Sequence, residues 1–363
     1  MENSKEHRDI INMRRINDIC KNSEANYSNI INLFPYPITI TVNGIIVLAN
    51  EQALNLFGPV IIGENIKKLL DPGLKIIISK KMKQMLEKKI PKVVFDYRFI
   101  NNNTVHDLEI TLCNIFYNRK PAILSLACDI TERKRELNSA ANFQKQVIQK
   151  TFPLLDKVDL GVLYVPAKTV SGDFYFFHKV NNNLLVGILG DVSGKGITAA
   201  LSISAFNVLF HEAVLLSHTP SEIVDILNTK VAIYLGEKYV AACCFSIDFI
   251  NNEVKVVGAG INHFFFQHST SKFVKNVVKG PFLGMFESSI FDQQRIQFRP
   301  GDKFYFFTDG LDSILLDHEI EEKFIKTATP TEIVNCLSDI LDNMLTNAEG
   351  IKDDCTLLAL EIK

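Results

Sequence analysis

The sequence has little net charge, no C-x-x-C cysteine spacing and no long uninterrupted apolar segment. Its formal net charge of −2 leaves no global basic surface that would hold nucleic acid by neutralising phosphates. The seven cysteines include no C-x-x-C spacing, which argues against a zinc site or a disulfide framework and favours reduced thiols in the cytoplasm. The polar N-terminal residues lack the apolar stretch of a secretory signal. No apolar segment approaches the ~20 residues that cross a bilayer, so we expect no membrane span.

The remaining composition is that of a folded protein with more than one domain. The chain has 363 residues, of which 47% are hydrophobic and 22% charged, enough for two separate cores. The pattern divides it into a polar segment at 1–26, a first domain at 27–130, a helical linker at 131–153 and a second domain at 154–363. The fold class that this pattern indicates is α+β.

The first domain alternates short apolar stretches with turn signals. Asn43 and Gly44 lie between two apolar stretches and predict a tight hairpin. These features predict a small α+β domain with an antiparallel sheet. The predicted strands lie at 38–42, 45–49, 93–99, 108–112 and 122–127, with a helix at 51–57.

The linker contains neither glycine nor proline until Pro153, which ends the predicted helix. Five residues lie alternately four and three positions apart, a pattern that repeats every seven residues: Leu137, Ala141, Gln144, Ile148 and Thr151. This weak heptad pattern is barely long enough for a coiled coil between two copies of the chain, which would make a homodimer. A single amphipathic helix packed on its own domain explains the same spacing equally well.

The second domain contains more strands than helices, and successive strands are close enough to form hairpins. This order predicts antiparallel sheets covered by helices, and not a doubly wound parallel sheet. The predicted strands are 161–165, 173–180, 184–189, 240–249, 253–257, 264–267, 273–278, 303–307 and 356–362, and the predicted helices are 198–216, 221–235 and 331–345.

Aspartates stand at the ends of four of these strands, beside glycine or another turn-forming residue. They are Asp173, Asp191, Asp309 and the adjacent pair Asp353 and Asp354. Strand ends of one sheet can bring distant residues together, and clustered carboxylates repel one another unless a cation is present. Oxygen ligands without histidine or cysteine favour Mg²⁺ or Mn²⁺, and two such ions about 3.5–4 Å apart can clamp a phosphoryl group.

Two other interpretations compete with a metal site. An aspartate beside glycine is most often a simple turn, so only the combination of all these positions favours metal binding. The loop GDVSGKG at 190–196 is also reminiscent of a nucleotide-binding P-loop. It has one residue too few before its Gly-Lys pair and lacks the Ser or Thr that follows, so nucleotide binding is disfavoured.

Several sequence words of the second domain occur together in one known family. They are YVPA at 164–167, SGDFY at 171–175, GDVSGKG at 190–196, TAAL at 198–201, GAG at 258–260, Gly284, PGD at 300–302, TDG at 308–310 and DDCTLL at 353–358. Their order and spacing resemble the SpoIIE/RsbU-type bacterial serine phosphatases of the metal-dependent PPM family.

This resemblance implies an α-β-β-α sandwich with two Mn²⁺ or Mg²⁺ ions at one edge. It implies that Asp191 bridges both ions, with the Val192 carbonyl as a further ligand. Asp309 and Asp353 would complete the shell of the second ion, and Asp173 would reach the metals directly or through water. These four aspartates are the expected catalytic residues, and a water activated by the ions would attack phosphorus without a covalent intermediate.

The chain departs from the family pattern at three positions, none of them an expected ligand. Ser171 replaces the usual glycine before Gly172-Asp173. Ile261 replaces the histidine that commonly follows the GAG word, with His263 two places on, and Ser313 stands beside Asp312 where an acidic residue often follows TDG. These departures concern substrate contacts and rate.

The first domain resembles a PAS sensor domain. The resemblance lies in NGII at 43–46, ANEQA at 49–53 and DITERK at 129–134, the last like the word that ends such domains and starts a signalling helix. The sequence shows no flavin-photoreceptor cysteine motif or haem ligand, so the PAS ligand stays open.

Together these features predict a signal-regulated cytoplasmic phosphatase acting on phosphoserine or phosphothreonine of a regulatory protein. The family resemblance implies an anti-sigma-factor antagonist of the STAS type as substrate, and a homodimer formed through the PAS domain and the linker. The alternative is a catalytically weak or inactive signalling adaptor with a phosphatase-like fold.

Overall fold

The computed structural model describes most of the chain, in two compact units. The described residues are 30–70, 72–87, 90–101, 104–148, 152–194, 196–268, 271, 273–315, 329–346 and 351–363. Contacts divide the chain into Met1–Arg135 and Glu136–Lys363. The polar segment expected at 1–26 lies outside the described residues.

The first unit is a five-stranded antiparallel sheet with helices. Its strands follow the order β2-β1-β5-β4-β3. The predicted hairpin is confirmed, because β1 and β2 pair around Asn43 and Gly44, which both have positive φ. The elements are β1 (Ile38–Val42), β2 (Ile45–Ala49), α1 (Glu51–Phe57), α2 (Pro72–Glu87), β3 (Lys92–Asn101), β4 (Thr104–Tyr117) and β5 (Lys120–Asp129).

Asn50 fixes the start of α1 and ties it to the sheet. Its side-chain oxygen accepts a hydrogen bond from the Ala53 amide at 3.0 Å, which satisfies a free donor of the first turn, and another from the Ile38 amide at 2.8 Å. The side-chain nitrogen donates to the Tyr36 carbonyl at 2.8 Å. One buried asparagine therefore joins the first helix to the first strand.

The second unit is built on two five-stranded antiparallel sheets. One has the order β13-β10-β9-β8-β7 and the other β12-β11-β14-β15-β6. Its strands are β6 (Val158–Val165), β7 (Asp173–Asn181), β8 (Leu184–Val192), β9 (Val240–Asp248), β10 (Glu253–Ala259), β11 (His263–Gln267), β12 (Phe273–Val277), β13 (Gln293–Gln297), β14 (Lys303–Phe307) and β15 (Cys355–Ile362). Its helices are α3 (Thr131–Ile148), which begins in the first unit, α4 (Ile197–Leu216), α5 (Pro220–Tyr234), α6 (Asp312–Leu315) and α7 (Pro330–Thr346).

The two sheets face each other and are covered by helices, which gives four layers. The rings of Phe245 on β9 and Phe306 on β14 stack in parallel across the interior, with centroids 4.2 Å apart. Helices α4 and α5 pack on the first sheet and α7 packs on β6 and β15. The α-β-β-α sandwich implied by the sequence is therefore the architecture of this unit.

Helix α3 buries two of its heptad positions within the second unit. Ile148 belongs to the main core of the sandwich, and Gln144 is also buried. The alternative of a helix packed on its own domain therefore accounts for these two positions.

Helix α4 differs from the expectation that no segment approaches membrane-spanning length. Its 20 residues are long and apolar enough to cross a bilayer, judged by length and composition alone. Eight of them are buried, including Phe206 and Phe210, which contact the aromatic side chains of β7. A helix that packs in a protein core gives the same sequence signal.

Candidate active site

Strands β7 and β8 place the first two aspartates side by side. Asp173 is the first residue of β7 and pairs in register with Asp191 near the end of β8. The apolar pattern had suggested that Asp191 follows the strand. In the structure β8 extends to Val192, so Asp191 lies within the strand. A Cβ on Gly172 would come within 2.4 Å of Asp191 Oδ1, so this close approach requires glycine.

Two threonines hold Asp173 in the interior. The carboxylate is only 2% exposed, and its Oδ2 accepts hydrogen bonds from Thr308 Oγ1 at 2.7 Å and Thr356 Oγ1 at 2.6 Å. Burial raises the pKa of Asp173 well above its usual range, the two hydroxyls oppose that change, and the charges of Asp191 and Asp354 add to it. Asp173 thus joins β7 to the end of β14 and the start of β15.

Asp309 and Asp353 form the second half of the cluster. Asp309 opens the short 3-10 turn that follows β14, and Asp353 stands two residues before β15. Burial raises the pKa of Asp309, and the negative charges of Asp353 and Asp312 raise it further. Like charges this close need a countercharge, which a divalent cation supplies.

The neighbours Asp353 and Asp354 have different surroundings. Both oxygens of Asp354 accept backbone hydrogen bonds, Oδ1 from Ala167 at 2.7 Å and Oδ2 from Gly172 at 2.6 Å. Among the described residues, the only amide that donates to Asp353 Oδ1 is the next one, that of Asp354, at 3.0 Å. Asp354 therefore braces the segment before β7, and Asp353 keeps the oxygens a cation would need.

Val192 and the loop after it are fixed from both sides. The Val192 amide donates to the Gly172 carbonyl at 3.0 Å, and Lys238 Nζ donates to the Ser193 carbonyl at 2.9 Å. Val192 is fully buried. The loop that resembles a P-loop is thus held on the sandwich by a backbone hydrogen bond and by the side chain of Lys238. Lys195 of this loop lies outside the described residues.

A cavity of about 270 Å³ opens beside the cluster. Asp191 and Asp309 line it together with His263 and Asp312. Oxygen donors with unbalanced negative charge are the chemistry that Mg²⁺ and Mn²⁺ prefer, so the residues present fit a hard divalent cation. In the described part of the chain, no group of three or more His, Cys, Asp or Glu side chains is already arranged around one point as a finished metal shell.

Residues outside the predicted ligand set also shape this region. Gln144 of α3 makes two hydrogen bonds to the backbone of Ser171: its Nε2 donates to the carbonyl at 2.7 Å and its Oε1 accepts from the amide at 3.2 Å. The Asp173 amide in turn donates to Ser171 Oγ at 3.0 Å. The sequence showed Gln144 only as a heptad position. The signal that Gln144 has a hydrogen-bond partner was the presence of a polar residue at such a position.

The chain is similar in sequence to two bacterial phosphoserine phosphatases and in fold to one bacterial PP2C domain. The chain is 28% identical over 245 residues to phosphoserine phosphatase RsbU of Bacillus subtilis, covering 64% of this chain and 71% of RsbU. It is 24% identical over 184 residues to phosphoserine phosphatase RsbP of the same organism, covering 49% of this chain and 45% of RsbP. The SiaA-PP2C domain of Pseudomonas aeruginosa superposes with a TM-score of 0.55 at 16% identity, over 64% of this chain and all of that domain.

These similarities differ in what they establish. At 16% identity the SiaA-PP2C domain establishes the fold of the second unit alone. The family described as stage II sporulation protein E matches residues 182–363, from the hairpin before β8 through the final strand. The chain therefore belongs to the SpoIIE family.

Proposed function

We propose that this chain is a regulated, metal-dependent protein phosphatase that hydrolyses phosphoserine or phosphothreonine on another protein. The observation that carries the proposal is the linked cluster of aspartates at strand ends of both sheets. Asp173 pairs in strand register with Asp191, and the negative charge of Asp353 raises the pKa of Asp309. RsbU and RsbP, the curated relatives, are named phosphoserine phosphatases.

Each aspartate has its own task in this proposal. Asp191, Asp309 and Asp353 would hold two Mn²⁺ or Mg²⁺ ions, the Val192 carbonyl would add a ligand, and Asp173 would contribute directly or through water. The bound ions supply an activated water and stabilise charge on the phosphoryl oxygens. Thr308 and Thr356 keep the buried Asp173 oriented, and the cavity beside Asp191 and Asp309 takes the phosphoryl group.

The test uses a phosphoserine peptide and p-nitrophenyl phosphate with the full-length protein. We expect hydrolysis of both with Mn²⁺, none with EDTA, and a loss of about 10²–10³-fold or more in Asp191→Asn. Asp225→Asn, at an exposed position of α5, is the control and should keep full activity. Hydrolysis that survives EDTA or Asp191→Asn would refute the proposed site.

We assign the first domain, residues 27–130, to a PAS sensor, residues 131–153 to a linker and residues 154–363 to the phosphatase. The sequence words at 43–46 and 129–134 support the sensor, as do the five antiparallel strands of the first unit. That unit contains a cavity of about 60 Å³ with a mostly apolar lining. The signal that this domain senses is open.

The linker helix is the route proposed for control. At its start, the Thr131 hydroxyl accepts from the Asp107 amide at 2.8 Å and Lys134 Nζ lies 2.7 Å from Asp96, within the first unit. Farther along, Gln144 holds Ser171 beside Asp173 in the second unit. A signal that rotates or shifts this helix would therefore change the position of the Asp173 turn.

The partner and setting follow from the family. We propose a phosphorylated anti-sigma-factor antagonist as substrate, a homodimer formed through the PAS domain and linker, and a cytoplasmic location. Incubating the Mn²⁺-loaded protein with phosphorylated candidate proteins and measuring released phosphate tests the substrate. Binding of such a protein without release of phosphate would instead favour the signalling adaptor.

A further inference from the structure

Two of the departures from the family pattern meet in space. Ile261, which replaces the common histidine, is buried in the core of the sandwich. His263, two residues on, is the first residue of β11, and its Nε2 lies 2.9 Å from Oδ1 of Asp312, the first residue of α6. Compared with the family pattern, the histidine and the carboxylate both stand at shifted positions in the sequence. In the structure they form a hydrogen-bonded pair.

This pair stands at the cavity proposed for the phosphoryl group. His263 and Asp312 line it together with Asp191 of β8 and Asp309 of the turn after β14. The ring of His263 packs edge-on against Phe307, with centroids 5.2 Å apart. Its side chain is only 20% exposed. The described residues make no hydrogen bond to Nδ1.

We infer that His263 is the general acid for the leaving group and that Asp312 is its positioning residue, an inference that rests on the proposed phosphatase function. The water oxygen forms a bond to phosphorus while the bond from phosphorus to the serine oxygen breaks. The electron pair of the broken bond stays on the serine oxygen, which takes the proton from Nδ1 of the imidazolium. The products are serine and inorganic phosphate, and the proton released by the attacking water passes to solvent, from which the neutral imidazole is protonated again.

The choice of leaving group separates this role from a structural one. A serine alkoxide is a poor leaving group and needs a proton as the bond breaks, whereas p-nitrophenolate leaves as a stable anion at neutral pH. General acids typically contribute 10²–10⁴-fold. A general acid is therefore required for the phosphoserine peptide and dispensable for p-nitrophenyl phosphate.

The experiment measures kcat on both substrates for His263→Gln in the Mn²⁺-loaded full-length protein. We expect kcat on the phosphoserine peptide to fall about 10²-fold or more, while kcat on p-nitrophenyl phosphate stays within about threefold of the wild type. Asp312→Asn should lower kcat on the peptide alone, by a smaller factor. Calorimetric titration of metal-free His263→Gln with Mn²⁺ should give the wild-type affinity.

A second histidine–aspartate pair supplies the control. His268 follows the other end of β11, and its Nδ1 lies 2.6 Å from the buried Asp302. His268→Gln should leave both substrates unaffected. Equal losses on both substrates in His263→Gln, or no loss on either, would overturn the inference. If the wild type hydrolyses neither substrate with Mn²⁺, the proposed function fails and the inference falls with it.

Discussion

The two sheets of the sandwich each supply two aspartates to the cluster, but they hold them by different means. Asp173 and Asp191 lie in neighbouring strands, so the register of β7 and β8 fixes their separation. Asp309 and Asp353 lie in the segments that follow β14 and precede β15, and Asp353 is exposed. One half of the cluster is therefore set by a hydrogen-bonded ladder, and the other half depends on turns that a bound cation would order.

The adjacent aspartates before β15 give the sharpest test of this contrast. Asp353→Asn should lower kcat about 10²-fold or more and weaken Mn²⁺ binding, with little change in the stability of the metal-free protein. Asp354→Asn should lower stability by about 1–3 kcal/mol, because the side chain can no longer accept from both the Ala167 and Gly172 amides. Calorimetric metal titration and urea unfolding measure the two effects. Identical behaviour of the two variants would contradict the assignment.

A second prediction concerns the ordered half of the cluster. Thr356→Val removes one of the two hydroxyls that donate to the buried Asp173 carboxylate. The free energy of unfolding should fall by about 1–3 kcal/mol, because a buried acceptor loses its partner. Urea denaturation measures it. Thr356→Ser keeps the hydroxyl and should retain most of the stability; a loss in Thr356→Ser as large as that in Thr356→Val would contradict the role of the hydroxyl.

A third prediction follows from the pKa of Asp173, which burial raises. The Asp173 carboxyl binds its proton more tightly in the native state than in the unfolded chain. The stability that this proton contributes is complete below the pKa of the unfolded chain, near 3.9, and is lost as the pH rises through the pKa of the native state. In EDTA, the Tm of the wild type should fall by a few degrees relative to that of Asp173→Asn as the pH is raised from about 4 to neutral. Mn²⁺ should restore the wild type at pH 7. Parallel Tm curves for the two proteins in EDTA would contradict this.

The smallest expected effect concerns Gln144. Gln144→Met keeps the length of the side chain but removes both hydrogen bonds to Ser171, so Mn²⁺ affinity should fall by about tenfold or less. Calorimetric titration measures it. Gln146→Met, at an exposed position of the same helix, is the matched control. If Gln144→Met binds Mn²⁺ as the wild type does, α3 does not act on the metal site.

Elements with a strong apolar rhythm were predicted well from sequence, and polar edge strands were not. The helix at Glu51–Phe57 has the predicted bounds, and β14 coincides with the predicted 303–307. β13, with the sequence QQRIQ, was missed because it lies at a sheet edge, carries little apolar surface and pairs only with β10. Its strand character comes from that neighbour and not from its own residues.

A candidate site can be proposed from the residue types in the sequence, but its supporting contacts cannot. Aspartates at strand ends identify candidates locally, because each stands beside a turn signal. The hydroxyls of Thr308 and Thr356 act on Asp173 across 135 and 183 residues of sequence, and no local pattern reports such a pairing. The same holds for His263 and Asp312, which only the fold brings together.

The position of β15 has a consequence for the order in which this protein matures. This strand lies between β14 and β6, and the hydroxyl of its second residue, Thr356, binds a carboxylate on β7. During synthesis, β7 and β8 therefore leave the ribosome long before β15 does. Until β15 emerges, Asp173 lacks one of its two hydroxyl donors and the second sheet lacks the strand that joins β14 to β6, so the aspartate cluster cannot be completed before β15 has been made.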